Sequence, residues 1–297
     1  MTQTALVSTQ KKPISQLLAA GAVYLKTQGI DAPRLESEHL LASVISCSRT
    51  DLYLYPEKAL GLEQGRLFWN RLSRRAGNEP LQYITGSVEF YGLQFEVGLG
   101  VFIPRPETEL IVEAVKNMIP APQGILDLCT GSGALAIALS KQFPQAKTVA
   151  SDCSEAALAF ARRNIDRHDF AKQVSLLKGD LFDAIRDPFL QTQVFDLIVC
   201  NPPYISEADR VSLPANVRDY EPAIALFALE DGLAFYRRIL SEVEPFLSEK
   251  GTIFLELGAG QAQWLKDTVA AAGVFDLYLM EDWAGIQRIA RLTRRAG

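Results

Sequence analysis

From Gly124 onward the chain alternates short apolar runs with helical patterns, and this alternation restricts its possible folds more than any other feature. The runs are 125–128, 148–151, 174–177, 195–200, 252–257, 277–280 and 287–292, and helical patterns start near Ala134, Ser154, Gly232 and Gln261. Strand followed by helix at this regularity predicts an α/β fold with a seven-stranded, mostly parallel, doubly wound, Rossmann-like sheet. Ligands of such sheets sit at the carboxyl ends of the strands, near the point where strand order reverses. The residues just past each run are therefore the ones to read for chemistry.

The first 85 residues have a different texture. Apolar positions fall at helical spacing: Leu17, Leu18, Val23 and Tyr24; then Leu35, Leu40, Leu41, Val44 and Ile45; then Leu62, Leu67, Phe68 and Leu72, the last near Arg71, Arg74 and Arg75. Strand-like alternation is absent, so a small helical bundle is expected. Between the two regions, Val88-Glu-Phe-Tyr-Gly-Leu-Gln-Phe-Glu-Val97 alternates around Gly92 and predicts a β-hairpin. It is followed by Ile103-Pro-Arg-Pro-Glu-Thr-Glu109, where Pro106 with Glu107 and Glu109 fits a helix N-terminus. Three parts are expected: a helical bundle over 1–85, a hairpin linker over 86–106 and an α/β domain over 107–297.

Charge and composition exclude several functions. The net charge of −5 argues against a large nucleic-acid footprint. Ten basic and seven acidic residues lie before position 86, so this end is mildly basic within an acidic chain, as a solvated bundle surface can be. No apolar run approaches 18 residues, so no membrane span is expected, and Met1-Thr-Gln-Thr-Ala-Leu does not read as a signal peptide. The cysteines Cys47, Cys129, Cys153 and Cys200 show no metal-ligand spacing, and only His39 and His168 could join them, so no metal site is expected. Reduced thiols in a cytoplasmic chain are the expectation.

Two motifs carry the chemistry. The first run ends in Asp127-Leu-Cys-Thr-Gly-Ser-Gly133, in which Gly131 and Gly133 permit a tight turn and close approach of a ligand to the backbone ahead of a helix N-terminus. Asp152, 21 residues after Gly131, follows the second run, where a carboxylate can accept ribose hydroxyls. These features suit any nucleoside cofactor, a dinucleotide included, since Gly131-x-Gly133-x-x-Ala136 also fits a loose dinucleotide fingerprint. The second motif, Asn201-Pro-Pro-Tyr204, ends the fourth run. Its proline pair cannot continue a ladder, and Asn201, before a proline, is held extended. The Asn201 side-chain oxygen and the Pro202 carbonyl then offer two acceptors for the two hydrogens of one NH2 group, and Tyr204 can lie against a flat amide or base. Such a pair suits methyl transfer to a planar nitrogen, whose delocalised lone pair must be aimed, and has no use in hydride transfer. No general base is required, because the methylated nitrogen is itself very acidic.

In these motifs the sequence resembles the class I, S-adenosylmethionine-dependent amino methyltransferases. Glu79-Pro-Leu-Gln-Tyr-Ile-Thr-Gly86, Glu89-Phe-Tyr-Gly92 and the 103–109 segment are similar to the release-factor glutamine methyltransferases, the PrmC/HemK family. That resemblance implies N5-methylation of the glutamine in the Gly-Gly-Gln motif of class 1 peptide chain release factors, with S-adenosyl-L-methionine as cofactor and no metal. It places Thr130, Gly131, Ser132 and Gly133, with Cys129 ahead of them, along the methionine end of the cofactor. It places Asp152 on the ribose and Asp180 with Leu181 on the adenine. Asn201, Pro202, Pro203 and Tyr204 would hold the substrate glutamine, Asn201 lying against the cofactor as well, with Asn201 and Pro202 the catalytic pair. The N-terminal bundle would recognise the protein substrate, and a cytoplasmic monomer without stable nucleic-acid binding is implied. Two departures stand out: Cys129 replaces a usual glycine, and Leu181 replaces an aromatic found in some relatives.

Several residues carry weaker expectations. Arg105, Glu107 and Glu109 could shape the cofactor entrance, although helix capping explains the two acids equally well. Glu256, followed by Gly258 and Gly260, could contact a ligand or be a solvated acid in a turn. Cys129, Cys153 and Cys200 should cluster at the site as pocket wall, and His168 reads as a helix-end residue. The alternatives are a DNA adenine-N6 methyltransferase, a catalytically silent cofactor- or protein-binding module and, more distantly, a dehydrogenase.

Overall fold

A computed structural model describes residues 11–186, 194–229 and 231–295. They divide into two compact units: a helical unit, comprising the chain up to Ser87 together with Pro214–Tyr220, and a sheet unit, comprising Val88–Leu213 and the chain from Glu221.

The helical unit contains β1 (Lys12–Pro13), α1 (Ile14–Thr27), α2 (Pro33–Ile45), α3 (Arg49–Leu54), β2 (Ala59–Leu60), α4 (Leu62–Ala76) and α5 (Leu81–Thr85). Pro33 opens α2, where its missing N–H would have had no intrahelical partner. Ser48 and Asp51 cap α3 reciprocally, each side chain taking the other's backbone N–H. Ile14, Leu17, Leu18 and Leu25 of α1 bury against Leu40 and Leu41 of α2 and Phe68 and Leu72 of α4. The structure departs from the sequence reading in two respects. A two-residue antiparallel pairing, β1 with β2, closes the unit where no strand was expected. Val23, Leu35, Leu62 and Leu67, counted among the apolar faces, are exposed. Val23, Leu62 and Leu67 each lie about 100° or more off the buried stripe of their helices, as Leu67 does beside Phe68 and Leu72, whereas Leu35 sits in the open first turn of α2.

Two details hold this unit together. The Glu38 carboxylate, buried on α2, accepts hydrogen bonds from Arg34 Nε (2.9 Å), Arg49 Nη2 (2.8 Å) and the Tyr53 hydroxyl, which ties α2 to α3. Burial alone would raise its pKa, but the bonds from Tyr53, Arg49 and Arg34 outweigh it and hold the group at about 2. At Gly21, where α1 meets α2 and α4, a Cβ would stand 2.5 Å from Ser37 Oγ, 2.8 Å from Phe68 Cζ and 3.2 Å from Leu72 Cδ1.

The sheet unit begins with the hairpin β3 (Ser87–Phe90) and β4 (Leu93–Glu96). Tyr91 and Gly92 turn it with φ of 50° and 69°, both positive as a two-residue type I′ turn requires. A 3-10 turn (Pro106–Thr108) and α6 (Glu109–Met118) follow, and the hairpin's Phe90 and Phe95 pack with Ile111, Val112 and Val115 of α6. Then come β5 (Gly124–Leu128), α7 (Ala134–Gln142), β6 (Lys147–Asp152), α8 (Glu155–Arg167), β7 (Val174–Lys178) and β8 (Phe195–Cys200). Past β8 the chain forms α9 (Ala215–Arg218), which belongs to the helical unit, and then, in the sheet unit, α10 (Ala223–Leu226), α11 (Ala234–Glu242), β9 (Leu247–Glu256), α12 (Ala262–Ala272), β10 (Phe275–Glu281) and β11 (Gln287–Arg294).

The seven-stranded sheet has the order β10-β11-β9-β8-β5-β6-β7. All pairings from β9 to β7 are parallel, and β11 runs antiparallel to both its neighbours. One face is covered by a core that includes Val112 and Val115 of α6 and Leu135 and Ile137 of α7, and the other by one that includes Tyr236 and Ile239 of α11 and Leu265 and Val269 of α12. Strand order reverses at β5, whose neighbours are β6 on one side and β8 on the other. The β5–β8 register pairs Leu128 with Cys200, so the segments from Cys129 and from Asn201 leave the sheet side by side.

Gly21→Ala should gain about 1 kcal/mol of helix propensity and lose about 2–3 kcal/mol to overpacking against Phe68 and Leu72. A lower urea midpoint of the N-terminal unit is expected; an unchanged or higher one would show that the helix crossing has slack.

Candidate active site

The segment after β5 owes its shape to a buried acid. Asp127 Oδ2 accepts from Thr130 Oγ1 (2.6 Å) and from the Ala136 backbone N–H (3.1 Å), pinning the turn to the first residues of α7. Its other oxygen, Oδ1, is buried without a protein partner among the described residues. Burial pushes this carboxyl up to about 7, although the bonds from Thr130 and Ala136 oppose the shift. The sequence reading quoted Asp127 as part of the motif but gave it no role, since a fully buried acid on a strand is visible only in the fold.

Gly131 and Gly133 have φ of 56° and 82°. A Cβ on Gly131 would meet nothing within 4 Å, so the loop opens onto free space there, as a cradle for a ligand must. Asp152 is the last residue of β6, and its carboxylate accepts from the Gly131 N–H (2.9 Å) and the Ser154 N–H (2.9 Å). Burial raises its pKa, and these N–H donors resist the rise. Each oxygen keeps a lone pair for a further donor. The glycine loop and this carboxylate therefore fit the sugar and methionine end of S-adenosylmethionine.

Asn164 of α8 is a residue the sequence reading missed. Fully buried, it donates through Nδ2 to the Ser132 carbonyl (2.9 Å) and the Glu96 carbonyl (3.0 Å), and accepts from the Glu96 N–H through Oδ1 (2.7 Å). One side chain thus clamps the glycine loop to β4. A lone Asn in a helical pattern gives no signal of this, because both partners are backbone groups far along the chain.

Both departures from the family pattern fall on unusual backbone. Cys129 has φ of 57° and Leu181 φ of 50°, the left-handed region that costs a side-chain-bearing residue about 1–2 kcal/mol. The Leu181 side chain is buried in the core beside Phe182, Ile185 and Phe246. Asp180 beside it accepts from Arg238 Nη1 (2.8 Å). Cys129, Cys153 and Cys200 stand at the carboxyl ends of the adjacent strands β5, β6 and β8. Cys200 is buried and Cys153 exposed; burial raises both thiols, most strongly Cys200.

Across the crevice, Asn201 follows the last residue of β8. Its Nδ2 donates to Thr108 Oγ1 (3.1 Å), Thr108 donates to Glu256 Oε2 (2.6 Å), and the Tyr204 hydroxyl donates to Glu256 Oε1 (3.2 Å). Among the described residues neither Asn201 Oδ1 nor the Pro202 carbonyl accepts a hydrogen bond, so both remain as acceptors. The Tyr204 carbonyl is itself held by Gln261 Nε2 (2.9 Å). Glu256, the last residue of β9, is 1% exposed, which rules out a solvated turn acid. Burial pushes it up to about 7, against the bonds from Thr108 and Tyr204 and the nearby Arg288, while Glu107 adds to the rise. Thr108 and Glu256 complete the site, and spacing alone could not have joined them to Asn201.

The remaining candidates serve the framework. Arg105 pairs with the buried Glu221, whose other oxygen accepts the Ile103 N–H (3.1 Å). Glu109 stands in the first turn of α6, and its carboxylate accepts the Tyr91 N–H (2.9 Å) and so also holds the hairpin turn. His168 ends α8, and its Nε2 meets the Gln94 carbonyl at 2.9 Å.

The strand order, the single antiparallel strand and the two motif loops at the point of reversal define a class I methyltransferase fold. A methyltransferase from Pyrococcus furiosus shares it with a TM-score of 0.52 at 20% identity, over 77% of this chain and 99% of that one. Residues 16–86 match the PrmC N-terminal domain and residues 105–215 the methyltransferase small domain. The chain is 41% identical to the release factor glutamine methyltransferase of Geobacter sulfurreducens, over 90% of its own length and 91% of that protein. It is 38% identical to that of Moorella thermoacetica, over 95% and 99%. The chain belongs to the release factor glutamine methyltransferase family.

The Asn164 clamp makes a direct prediction. Asn164→Ala strands the Ser132 carbonyl and both backbone groups of Glu96, at a cost of about 3 kcal/mol in all. Chemical denaturation should show that loss together with weaker S-adenosylmethionine binding; a loss below about 1 kcal/mol would mean that water replaces the clamp.

Proposed function

We propose that this protein transfers a methyl group from S-adenosyl-L-methionine to the side-chain amide nitrogen of the glutamine in the Gly-Gly-Gln motif of class 1 peptide chain release factors. The observation that carries the reading is the pair of unengaged acceptors, Asn201 Oδ1 and the Pro202 carbonyl, beside a glycine loop and an acid suited to the cofactor.

An amide nitrogen is a poor nucleophile because its lone pair is delocalised into the carbonyl. Two acceptors that take its two N–H groups fix its plane and aim the lone pair, and they bind more strongly as positive charge develops on the nitrogen. The cofactor supplies an electrophilic sulfonium methyl, which needs no metal. Asp152 holds the ribose, residues 129–133 hold the methionine end, and Asp180 with Leu181 borders the adenine. Tyr204, fixed through its hydroxyl by Glu256, presents its ring to the flat amide. The methylated nitrogen then loses one of its protons to solvent, which leaves a neutral secondary amide. The helical unit docks the release factor, and the protein acts in the cytoplasm as a monomer. No helix among the described residues is long and apolar enough to cross a membrane.

The test is incubation with methyl-labelled S-adenosylmethionine and either a release factor or duplex DNA. Label in the release-factor glutamine is expected; label in DNA alone would overturn the reading in favour of an adenine-N6 methyltransferase. Asn201→Ala should lower kcat about 10²–10³-fold, the usual effect of removing one preorganised polar contact to a reacting group. Cofactor Kd should stay within a few-fold, and an equal loss of cofactor affinity would assign Asn201 to the cofactor instead.

A further inference from the structure

We infer that Glu256 is a positioning residue which, through the Thr108 hydroxyl, sets which end of the Asn201 side-chain amide faces the methyl acceptor. The inference rests on the glutamine-methylating reading above and adds a residue to that machinery.

Glu256, Thr108 and Asn201 form a single file in which each donor fixes the next. An ionised carboxylate can only accept. Thr108 has one hydroxyl proton, and at 2.6 Å from Glu256 Oε2 it donates that proton there. Its oxygen is then left with lone pairs only toward Asn201, which can answer with Nδ2 alone, at 3.1 Å. Nδ2 being so occupied, Oδ1 is the outward end and meets the substrate NH2 as an acceptor. The two ends of an asparagine amide are almost the same shape, so packing cannot choose between them and only the hydrogen-bond network does.

Protonation of Glu256 removes that choice. A neutral carboxyl can donate to Thr108, Thr108 can then donate to Asn201, and the amide rotates by half a turn to accept through Oδ1. Its NH2 would then face the substrate NH2, donor against donor. The one bond formed is the O–H of Glu256, its proton supplied by bulk water; Thr108 keeps its own proton and only reorients, and the Asn201 amide only rotates. The groups facing Glu256 keep both states within reach. Arg288 of β11 favours the carboxylate, Glu107 from the turn before α6 opposes it, and the Tyr204 and Thr108 hydroxyls donate to it. The Tyr236 hydroxyl of α11 is engaged by the Glu256 backbone carbonyl (2.9 Å) and does not compete for the side chain. Burial brings the carboxyl to about 7, so ionisation and protonation are balanced near neutrality.

Raised in the folded protein, this acid is protonated below neutral pH and ionised above it, so the productive orientation is gained as pH rises. The experiment follows kcat/KM for the release factor from pH 6 to 8, with cofactor Kd measured in parallel. Wild type should rise about tenfold, the change in ionised fraction of one group with a pKa near 7, while cofactor Kd stays flat. Thr108→Val, which keeps the shape and breaks the relay, should be slower and have no step even though Glu256 is intact; Thr108→Ser should restore the step and most of the rate. Glu256→Gln should also lose the step. In parallel, the Asn201 side-chain amide resonances of uniformly 15N-labelled protein, assigned by their loss in Asn201→Ala, should shift with a midpoint near pH 7 in wild type and not in Glu256→Gln or Thr108→Val. A step that persists in Thr108→Val, or Asn201 resonances that do not titrate in wild type, would overturn the relay. If wild type instead leaves the release factor unlabelled, the activity reading fails, and the amide titration still decides whether Glu256 orients Asn201.

Discussion

The site depends on β5 and β8 ending side by side and pointing the same way. From Leu128 the chain turns at once into α7, which packs in the core on one face of the sheet. From Cys200 it runs on through shorter elements to α11, which packs in the core on the other face. Two neighbouring strands whose continuations part in this manner must leave a crevice between them, because neither continuation can fill it. One wall is then backbone N–H and glycine, suited to a charged cofactor, and the other is carbonyl and amide oxygen, suited to an NH2 group. The chemistry follows from which side of the reversal each motif occupies.

Holding these walls in place carries a cost that a packed core would avoid. Asp127 and Glu256 are fully buried acids with pKa values raised to about 7, and each is placed to organise a loop by accepting hydroxyl or N–H donors. Cys129 and Leu181 sit at positive φ at the carboxyl ends of β5 and β7. Backbone strain of this kind persists only where surrounding contacts over-determine the conformation. Here they do: Thr130 N–H bonds the Ser151 carbonyl (2.9 Å) just after Cys129, and Leu181 is anchored by core neighbours.

Much of this was legible in the sequence because it rests on local rules. Apolar periodicity gave the order of strands and helices, and proline after Asn201 marked where β8 had to stop. Gly92 marked the hairpin turn, although Tyr91 shares its left-handed conformation and no residue-type rule would predict that. The parts that escaped are those in which one side chain serves two distant segments. Asn164 joins β4 to the glycine loop, Thr108 joins Asn201 to Glu256, and Glu109 joins α6 to the hairpin turn. Each looks from the sequence like an ordinary helix or loop residue, since its partners are set by sheet order. Val23 and Leu67 differ for the opposite reason: both are apolar, yet they lie off the buried stripes of α1 and α4 and face solvent.

Two acceptors fixed on adjacent residues select a chemical class by themselves. A hydroxyl has too few hydrogens to satisfy both, and a lysine ammonium has no lone pair to aim. A conjugated NH2 group has two hydrogens in one plane and a lone pair perpendicular to it, so glutamine, asparagine and the exocyclic amines of bases all qualify. Discrimination among these cannot come from the acceptors and has to come from reach and from what carries the NH2 group to them. Under the proposed function that second selection falls to the helical unit, a compact unit of its own on the same chain. An amide oxygen oriented by a titrating relay then adds a third condition. The partner must be present while Asn201 faces outward as an acceptor, so the fraction of productive encounters is set by the protonation of a residue that never touches the substrate.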